Sequence, residues 1–354
     1  MIITRTPFRI SFFGGGTDYP SWYLNNGGSV LSAAIDKYCY ISLRYLPPFF
    51  EHRIRVVYSK VELCQIIDEI QHPAVRETLR FLDFNRGVEI HHDGDLPARS
   101  GMGSSSSFTV GLLHALYALR GMLVSKKQLA MESIHIEQNM IKETVGSQDQ
   151  VAAAFGGLNH IKFNKNGEID VCPIPVSIER REELCRHLML FYTGIRRTAS
   201  NVADTYVRDL NDKQKLMLRM NQMVEQGLDI LQSNRSICEF GELLHDAWVA
   251  KQCLSDKVSN STVDSLYDRS RKNGAIGGKI TGAGGGGFLL LFVPPPAQRQ
   301  LREGLKNLIH VPFQFEFHGS QINLYDPPVE DYSEIELDRD QRKICSCREM
   351  EAII

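Results

Sequence analysis

The apolar positions in the first half of the chain follow two periods, one of about two residues and one of about 3.6 residues. Alternating, β-branched and aromatic runs predict strands, and the first of them ends at three consecutive glycines, Gly14 to Gly16. Apolar residues at helical spacing predict helices between the strands. The predicted strands are residues 2–13, 29–46 (as one or two strands), 53–59 and 87–93, and the predicted helices are residues 61–82, 104–120 and 126–143.

In the second half of the chain, one long helical region is predicted between shorter strand regions. The predicted elements are strands at 157–163 and 187–192, a helical region at 198–272, a glycine-rich strand region at 277–293, a helix at 297–309 and a strand at 312–318. We therefore predict an α+β fold with a mixed α/β first half, a helical insert and a strand-rich return.

Composition narrows the class of protein. A length of 354 residues suggests two domains, and 43% hydrophobic with 23% charged residues is typical of a globular protein with a buried core. The net charge of −2 gives no reason to expect nucleic acid or an anionic membrane as a partner. The longest apolar run, FLLLFV at 288–293, is too short to span a bilayer, and two arginines near the start argue against a signal peptide. We therefore predict a cytoplasmic protein.

A glycine-serine stretch, RSGMGSSSSF at 99–108, joins the predicted strand at 87–93 to the predicted helix at 104–120. The first N–H groups of a helix lack internal partners, and the helix dipole adds partial positive charge there. Gly101 and Gly103 would let the backbone approach an anion closely, and the serines add hydroxyl donors. A phosphate-binding loop is one interpretation, and a linker or an ordinary serine N-cap is the other. The stretch lacks the lysine of a Walker A loop and the GxGxxG spacing of a dinucleotide fold.

Two further glycine-rich segments, RTPFRISFFGGGTDYP at 5–20 and GGKITGAGGGGFLLL at 277–291, complete a set of three. The set resembles the GHMP small-molecule kinases, the superfamily of galactokinase, homoserine kinase, mevalonate kinase and phosphomevalonate kinase. In chain order, the segments are similar to the patterns PGRxNxxGEHTDY, PxxxGLGSSAA and KxTGAGxGG. The matching residues are Pro7, Arg9, Gly14, Thr17, Asp18 and Tyr19, then Pro97, Gly101, Gly103, Ser104 and Ser105, then Lys279, Thr281, Gly282, Ala283, Gly284, Gly286 and Gly287.

The resemblance implies a two-domain fold with the active site in the cleft between the domains. On this basis residues 1–180 would be the N-terminal, ATP-binding domain, residues 181–335 the C-terminal domain, and residues 336–354 a charged tail. The implied activity is that of an ATP-dependent carbohydrate kinase that requires Mg²⁺. The implied phosphate contacts are Gly101, Gly103, Ser104, Ser105, Ser106, Gly282, Gly284 and Gly285.

Two carboxylates carry the implied chemistry. Asp149 lies in GSQDQ, which resembles the galactokinase GxxDQ motif whose aspartate faces the acceptor hydroxyl. Glu137, twelve residues earlier, corresponds to a glutamate that ligates Mg²⁺, and Ser104 is a second implied ligand. Arg9 corresponds to an arginine near the transferred phosphoryl group, where it would stabilise developing charge. The alternative is that these carboxylates are solvated helix charges and that Arg9 is a surface arginine.

The first segment departs from the galactokinase pattern, because residues 14–19 read GGGTDY where the pattern has GEHTDY. The glycines remove two polar side chains and leave space and exposed N–H groups. The segment is similar to the branch that contains D-glycero-D-manno-heptose 7-phosphate kinases and the kinase domains of fucokinases, which phosphorylate an anomeric hydroxyl. This resemblance implies conversion of the heptose 7-phosphate to the 1,7-bisphosphate, in the biosynthesis of nucleotide-activated heptose for surface polysaccharide.

The implied substrate contacts are Gly15, Gly16, Thr17 and Asp18, of which Asp18 would hold sugar hydroxyls. A phosphorylated sugar also needs cations, for which Arg196 and Arg197 in YTGIRRTASN are proposed, with Lys37, Arg44 and Lys279 as further candidates. A solvated basic pair is the alternative for the two arginines. Two other functions remain open, a kinase of the same fold for fucose, mannose or galactose, and a non-catalytic sensor of sugar and ATP. The implied partners are ATP and a sugar phosphate, and a homodimer is left open.

Overall fold

The computed structural model describes residues 1–98, 100–195, 202–207, 210, 212–327 and 332–338. The strands are β1 (Ile2–Phe13), β2 (Gly28–Tyr45), β3 (Ile54–Val57), β4 (Val61–Cys64), β5 (Val88–Gly94), β6 (Leu158–Phe163), β7 (Ile169–Pro173), β8 (Leu188–Tyr192), β9 (Gly277–Ile280), β10 (Phe288–Phe292), β11 (Ile309–Val311) and β12 (Gln321–Tyr325). The helices are α1 (Pro20–Asn26), α2 (Pro73–Phe81), α3 (Ser104–Leu119), α4 (Lys126–His135), α5 (Gln148–Phe155), α6 (Ile178–His187), α7 (Gln214–Gln232), α8 (Cys238–Gln252), α9 (Ser261–Lys272), α10 (Gln298–Gly304) and α11 (Ser333–Asp338). Short 3₁₀ turns cover Ile67–Glu69 and Pro295–Ala297, and a π-helical turn covers Ile136–Met140.

A mixed sheet of eight strands, counted within the described residues, is built around the long strand β2. β1 pairs antiparallel with β2 along nearly its whole length, from Ile2 opposite Leu43 to Phe13 opposite Leu31. The other edge of β2 is shared, because its first part pairs with β6 and its last part with β5. β12 adds to the free edge of β1, so a segment more than 300 residues away in sequence joins the first strand.

The second sheet is antiparallel, in the order β11-β8-β10-β9. Phe240 of α8 makes edge-to-face contacts with Phe12 and Phe13 at the end of β1, with ring centroids 5.4 and 4.9 Å apart. Edge-to-face contacts are a favourable geometry for aromatic rings. This contact brings the second half of the chain against the three glycines that follow β1.

Helix α3 lies over β1 and β2 and is buried around most of its circumference. Gly111 permits this close approach, since a Cβ there would lie 2.8 Å from the Thr6 hydroxyl oxygen. A helix that is apolar on all sides packs between other layers rather than against solvent. The burial of α3 fixes its first turn, and with it the glycine-serine loop, at the end of the first sheet.

Most predicted elements are confirmed, and the fold class is the predicted mixture of α and β, but two elements were wrong. Residues 61–82 form β4, a 3₁₀ turn and the short helix α2 rather than one helix. Val61 to Cys64 alternate exposed and buried side chains against β3, and Pro73 begins α2. Residues 312–318 make only a single bridge, between Phe315 and Ile35, and form no strand. The elements α1, α5, α6, α11, β7, β11 and β12 were not predicted.

The helix predicted at 126–143 is shorter than expected. α4 ends at His135, and the chain continues as the π-helical turn Ile136–Met140 before Lys142 adopts a left-handed conformation, with φ of 63°. π-helical turns often mark functional sites. No helix among the described residues is long and apolar enough to cross a bilayer.

Candidate active site

The second and third glycine-rich segments meet backbone to backbone. A Cβ on Gly282 would lie 2.7 Å from both the Cα and the carbonyl oxygen of Gly101, and a Cβ on Gly287 would lie 2.1 Å from the Ser100 carbonyl oxygen. Gly101 and Gly282 also have φ of 81° and 65°, in the left-handed region. Only glycine satisfies both the conformation and the contact. The two loops predicted to bind phosphate are therefore joined in one structure.

Polar contacts hold the third segment in this position. The Lys251 ammonium of α8 donates to the Gly282 carbonyl. The Gly285 N–H donates to the Val258 carbonyl at 2.7 Å, and the Asn260 side chain donates to the Gly285 carbonyl at 3.0 Å. Gly284 lies against the same turn, since a Cβ there would be 2.5 Å from the Val258 oxygen. The loop is supported from two sides by the second half of the chain.

The serines at the start of α3 divide into two pairs. Ser104 is partly buried and Ser105 is exposed, so both lie at the open end of the helix. Ser106 and Ser107 are buried, and their hydroxyls donate to Glu137 Oε2 at 2.9 Å and to the Pro7 carbonyl at 2.8 Å. The hydroxyl of Ser106, which was predicted as a phosphate contact, thus donates to Glu137 instead.

Arg9 and Asp149 form a bidentate ion pair at the same helix start. Arg9 Nε and one terminal nitrogen donate to the two Asp149 carboxylate oxygens, each at 2.7 Å. The other terminal nitrogen donates to the Gly101 carbonyl at 2.9 Å, and the Arg9 N–H donates to the Met102 carbonyl at 3.1 Å. A Cβ on Gly103 would lie 3.3 Å from Arg9 Cγ and 3.4 Å from Asp149 Oδ2. The predicted catalytic pair therefore lies directly against the predicted phosphate loop.

Asp18 lies beside this pair and is almost fully buried. Its carboxylate accepts from the Gly16 N–H at 2.8 Å and from the Gln148 side-chain amide at 2.9 Å. Burial raises the pKa of Asp18, with a further rise from the Asp149 carboxylate and an opposing effect of the Gly16 N–H. Gly146 is required here, since a Cβ on it would lie 1.9 Å from Asp18 Oδ2.

Glu137 extends from the π-helical turn Ile136–Met140 into the protein and is fully buried. Ser106 and the Gln150 side-chain amide donate to Oε2, at 2.9 and 2.6 Å. Oε1 accepts no hydrogen bond of good geometry from the described residues, and the nearby Thr109 hydroxyl instead donates to a backbone carbonyl. Burial raises the pKa of Glu137 to about 7, against the lowering effect of its hydroxyl and amide donors.

A buried carboxylate oxygen with no well-formed hydrogen bond from the described residues suits a hard cation, which prefers oxygen ligands. Within the described residues, no group of three or more histidines, cysteines and acidic residues could hold a metal ion. A site of one carboxylate, one hydroxyl, waters and substrate phosphates is the usual arrangement for Mg²⁺. Glu137 with Ser104 fits that arrangement, because Glu137 accepts a hydrogen bond from Ser106, two residues after Ser104 in the first turn of α3.

Sequence reasoning gave Lys279 only a minor role, as one of several candidate cations. The structure buries it beside Arg9, where its ammonium donates to the Phe12 carbonyl at 2.9 Å. Burial and, to a smaller extent, the positive charge of Arg9 lower the pKa of Lys279 to about 7, against the raising effect of the Asp18 carboxylate. Lys279 therefore ties the third glycine segment to the end of β1. The position of Lys279, two residues before the TGAG motif, was the signal for this role that the sequence offered.

Gln148 and Gln150 were also missed. Both flank Asp149 in the GSQDQ motif, and each donates to a different site carboxylate, Gln148 to Asp18 and Gln150 to Glu137. Their position next to the motif aspartate was the only local signal. The contacts themselves form only because the fold brings together residues that are more than ten positions apart in sequence.

The predicted substrate contacts are partly brought together. The Gly16 N–H donates to the Asp18 carboxylate, and Gly15 lies beside Ser11 and Gln148, but the Thr17 hydroxyl donates to the Gly14 and Ser29 carbonyls, each at 2.9 Å. Thr17 therefore stabilises the loop from within.

The cations predicted to bind an acceptor phosphate differ in where the structure places them. Residues 196–197 lie outside the described residues. Lys37 donates to the Asp36 carboxylate at 3.1 Å, and Arg44 donates to the Glu89 carboxylate at 2.8 Å. Each of these two cations is therefore already paired with a carboxylate of the same chain.

Comparison with known proteins defines the family to which this fold and site belong. The family model of the GHMP kinase N-terminal domain matches residues 66–157, and that of the GHMP kinase C-terminal domain matches residues 230–310. These spans contain the serine loop, both site carboxylates of the middle region and the third glycine segment. The chain therefore contains the N- and C-terminal domains of a GHMP kinase, and its relatives support an ATP-dependent carbohydrate kinase.

Two relatives and one solved structure are similar to this chain over most of its length. The D-glycero-alpha-D-manno-heptose 7-phosphate kinase of Campylobacter jejuni is 28% identical over 299 residues, which cover 80% of this chain and 86% of that protein. The L-fucokinase/L-fucose-1-P guanylyltransferase of Bacteroides fragilis is 25% identical over 79% of this chain and 33% of its own length. A crystal structure described as a D-glycero-D-manno-heptose 1-phosphate kinase from Bacteroides thetaiotaomicron shares the fold, with a TM-score of 0.75, 23% identity, and coverage of 92% of this chain and 100% of that one.

Proposed function

We propose that this kinase transfers the γ-phosphoryl group of ATP to the anomeric hydroxyl of D-glycero-D-manno-heptose 7-phosphate, yielding the 1,7-bisphosphate and ADP. The observation that carries the proposal is the Arg9–Asp149 pair, two bonds of 2.7 Å against the phosphate loop. Asp149, a carboxylate that would bind the acceptor hydroxyl, thus lies beside the loop that would bind the transferred phosphoryl group. The heptose kinase relative and the glycines at 14–16 support the choice of acceptor. The product would serve the synthesis of nucleotide-activated heptose for surface polysaccharide.

On the phosphate side, free N–H groups at the start of α3 and the outward hydroxyls of Ser104 and Ser105 would bind phosphate oxygens. The remaining proposed phosphate contacts are Gly101, Gly103, Gly282, Gly284 and Gly285. Glu137 and Ser104 would hold a magnesium ion. When bound, that ion would neutralise charge on the β- and γ-phosphate oxygens.

On the acceptor side, Asp149 would accept a hydrogen bond from the anomeric hydroxyl and orient its oxygen toward the γ-phosphorus. As the new P–O bond forms, the bond to the β–γ bridging oxygen breaks and ADP leaves with that oxygen, while the hydroxyl proton passes to the Asp149 carboxylate or to a phosphate oxygen. Arg9 fixes both oxygens of Asp149 and adds positive charge beside the transferred group. Asp18, held by Gly16 and Gln148, would accept from neighbouring sugar hydroxyls.

A kinase for another sugar of the fucose or mannose type is the second candidate, supported by the fucokinase relative. A non-catalytic sensor of sugar and ATP is a weaker candidate. A sensor has no need for the costly burial of Glu137 or for an acceptor carboxylate held by Arg9.

The test is ADP release with Mg-ATP against D-glycero-D-manno-heptose 7-phosphate, mannose 6-phosphate, sedoheptulose 7-phosphate, fucose, mannose and galactose. We expect turnover on the heptose 7-phosphate that is abolished in Asp149→Asn and retained in Asp170→Asn, a matched change at an exposed aspartate of β7. Turnover on an unphosphorylated sugar alone would contradict the proposed acceptor. ATP binding without turnover on any sugar would favour the sensor.

A further inference from the structure

Three buried polar atoms, two beside Gly15 and one opposite Ser11 in the β1–β2 pairing, have no partner within the described part of the chain. They are Ser11 Oγ, Ser32 Oγ and Gln148 Oε1, on residues that are 6%, 1% and 8% exposed. Buried polar groups in folded proteins are nearly always hydrogen-bonded, because an unpaired one keeps its full desolvation penalty. Unpaired atoms of this kind point to partners supplied by a ligand.

The three side chains converge on one region. Ser11 and Ser32 are opposite each other in the β1–β2 pairing, so their side chains are on the same face of the sheet. Arg9 is two residues before Ser11 in β1 and therefore extends from that face too. Gln148 precedes Asp149, the partner of Arg9, and its amide nitrogen is already occupied by Asp18 at 2.9 Å. Its oxygen remains available as an acceptor.

Gly15 forms the opening of this region. A Cβ on Gly15 would lie 3.6 Å from Ser11 Oγ and 3.7 Å from the Gln148 amide nitrogen, which are ordinary contact distances. Gly15, unlike Gly14 and Gly16, does not have a positive φ. The backbone therefore does not require glycine at position 15, and its missing side chain leaves a space bounded by Ser11 and Gln148.

We propose that Ser11, Ser32 and Gln148 form a subsite for the hydroxyl groups of the acceptor's exocyclic chain, and that Gly15 determines specificity by leaving room for that chain. This rests on the proposed function, since it requires a sugar acceptor at Asp149. Serine hydroxyls donate and accept, while the Gln148 oxygen only accepts, which matches the neighbouring hydroxyls of a polyol. The subsite therefore selects sugars with a hydroxylated side chain over 6-deoxy sugars.

The experiment compares Ser11→Ala and Gly15→Ala with Ser21→Ala, a control at an exposed serine of α1. KM and kcat are measured for the accepted sugars and for ATP, and the melting temperature without ligand reports the fold. For Ser11→Ala we expect KM for a hydroxylated acceptor to rise about tenfold, the loss of one hydrogen bond. KM for ATP should stay within about twofold, and the melting temperature should be unchanged or higher, because an unpaired buried hydroxyl is removed.

For Gly15→Ala we expect a selective loss. The ratio of kcat/KM for the heptose 7-phosphate to that for a 6-deoxy sugar should fall about tenfold, with an unchanged melting temperature. Wild-type acceptor KM and wild-type specificity in both variants would overturn the proposal.

The same variants separate this inference from the proposed substrate. If the heptose 7-phosphate is not accepted but another hydroxylated sugar is, the proposed substrate fails, and the effect of Ser11→Ala on that sugar still decides the subsite. If no sugar is phosphorylated, the readout is the sugar-induced rise in melting temperature. A rise that is smaller in Ser11→Ala supports the subsite, and a rise that is equal in both proteins, or absent in both, overturns it.

Discussion

Replacing Asp149 with asparagine is the perturbation with the largest predicted effect on both stability and activity. The substitution keeps the shape of the side chain and removes its charge. One oxygen still accepts from Arg9, but the second Arg9 N–H then faces an amide donor instead of an acceptor. Arg9 is 4% exposed and the Asp149 side chain 25%, so the arginine loses its counter-charge where water cannot replace it well.

The magnitude follows from that geometry. Breaking a fully buried ion pair by removing one partner costs about 3–5 kcal/mol. Asp149 is partly exposed and asparagine keeps one acceptor, so we expect a loss of about 2 kcal/mol in the free energy of unfolding. In a protein of this size that loss lowers the melting temperature by roughly 3 °C. Loss of the acceptor carboxylate should lower kcat by about 10²- to 10⁴-fold.

The assay is a double-mutant cycle with Asp149→Asn, Arg9→Gln and the double variant, each measured by chemical unfolding without ligand and by ADP release. The stability cost of the double variant should be smaller than the sum of the two single costs by about 1–2 kcal/mol, since the two residues contact each other. Asp170→Asn serves as the surface control and should behave as the wild type.

Strictly additive stability costs would refute the reasoning, because they would mean that the pair is not formed in the ligand-free protein. Retention of kcat in Asp149→Asn would refute the assigned role of the carboxylate even if the stability result agreed.

Three further predictions concern other parts of the fold. Glu137→Gln should weaken ATP binding at least about tenfold in Mg²⁺ and leave it unchanged in EDTA, measured by calorimetry, because the charged metal ligand is lost. Gly287→Ala should abolish turnover by forcing a Cβ into the Ser100 carbonyl, whereas Gly121→Ala, also left-handed but with open space, should cost only about 1 kcal/mol in unfolding. Burial lowers the pKa of His114 to about 4 from its ordinary 6.5, so stability should fall by up to about 3 kcal/mol between pH 6.5 and 4. A pH-independent difference between wild type and His114→Gln in urea unfolding would contradict this.

Local sequence was sufficient for the elements whose pattern is strong and whose neighbours do not override it. β1 and α3 were predicted almost to their ends, because a β-branched run and a long apolar helix are stable choices in any buried context. Residues 61–82 were not, since the apolar spacing there fits a helix while β3 offers an edge that Val61–Cys64 pair with. Pairing of that kind is a tertiary effect that overrides local preference.

The sequence by itself was sufficient to propose the chemistry of the candidate site. The glycine-serine loop, the TGAG segment, Arg9, Glu137 and Asp149 were all proposed from the motifs, their order and the resemblance to the GHMP kinases that these motifs carry.

Only the tertiary structure decided how these groups are combined. It brings Arg9 onto Asp149, 140 positions away, and it brings Gly282 onto Gly101. It turns Ser106 toward Glu137 and the Thr17 hydroxyl into its own loop. It also leaves the Ser11 hydroxyl buried beside Gly15, with no partner among the described residues. A local pattern specifies the period of an element and the face it buries, but the contacts of that face depend on chain segments far away in sequence, and these are set by the packing of the whole fold.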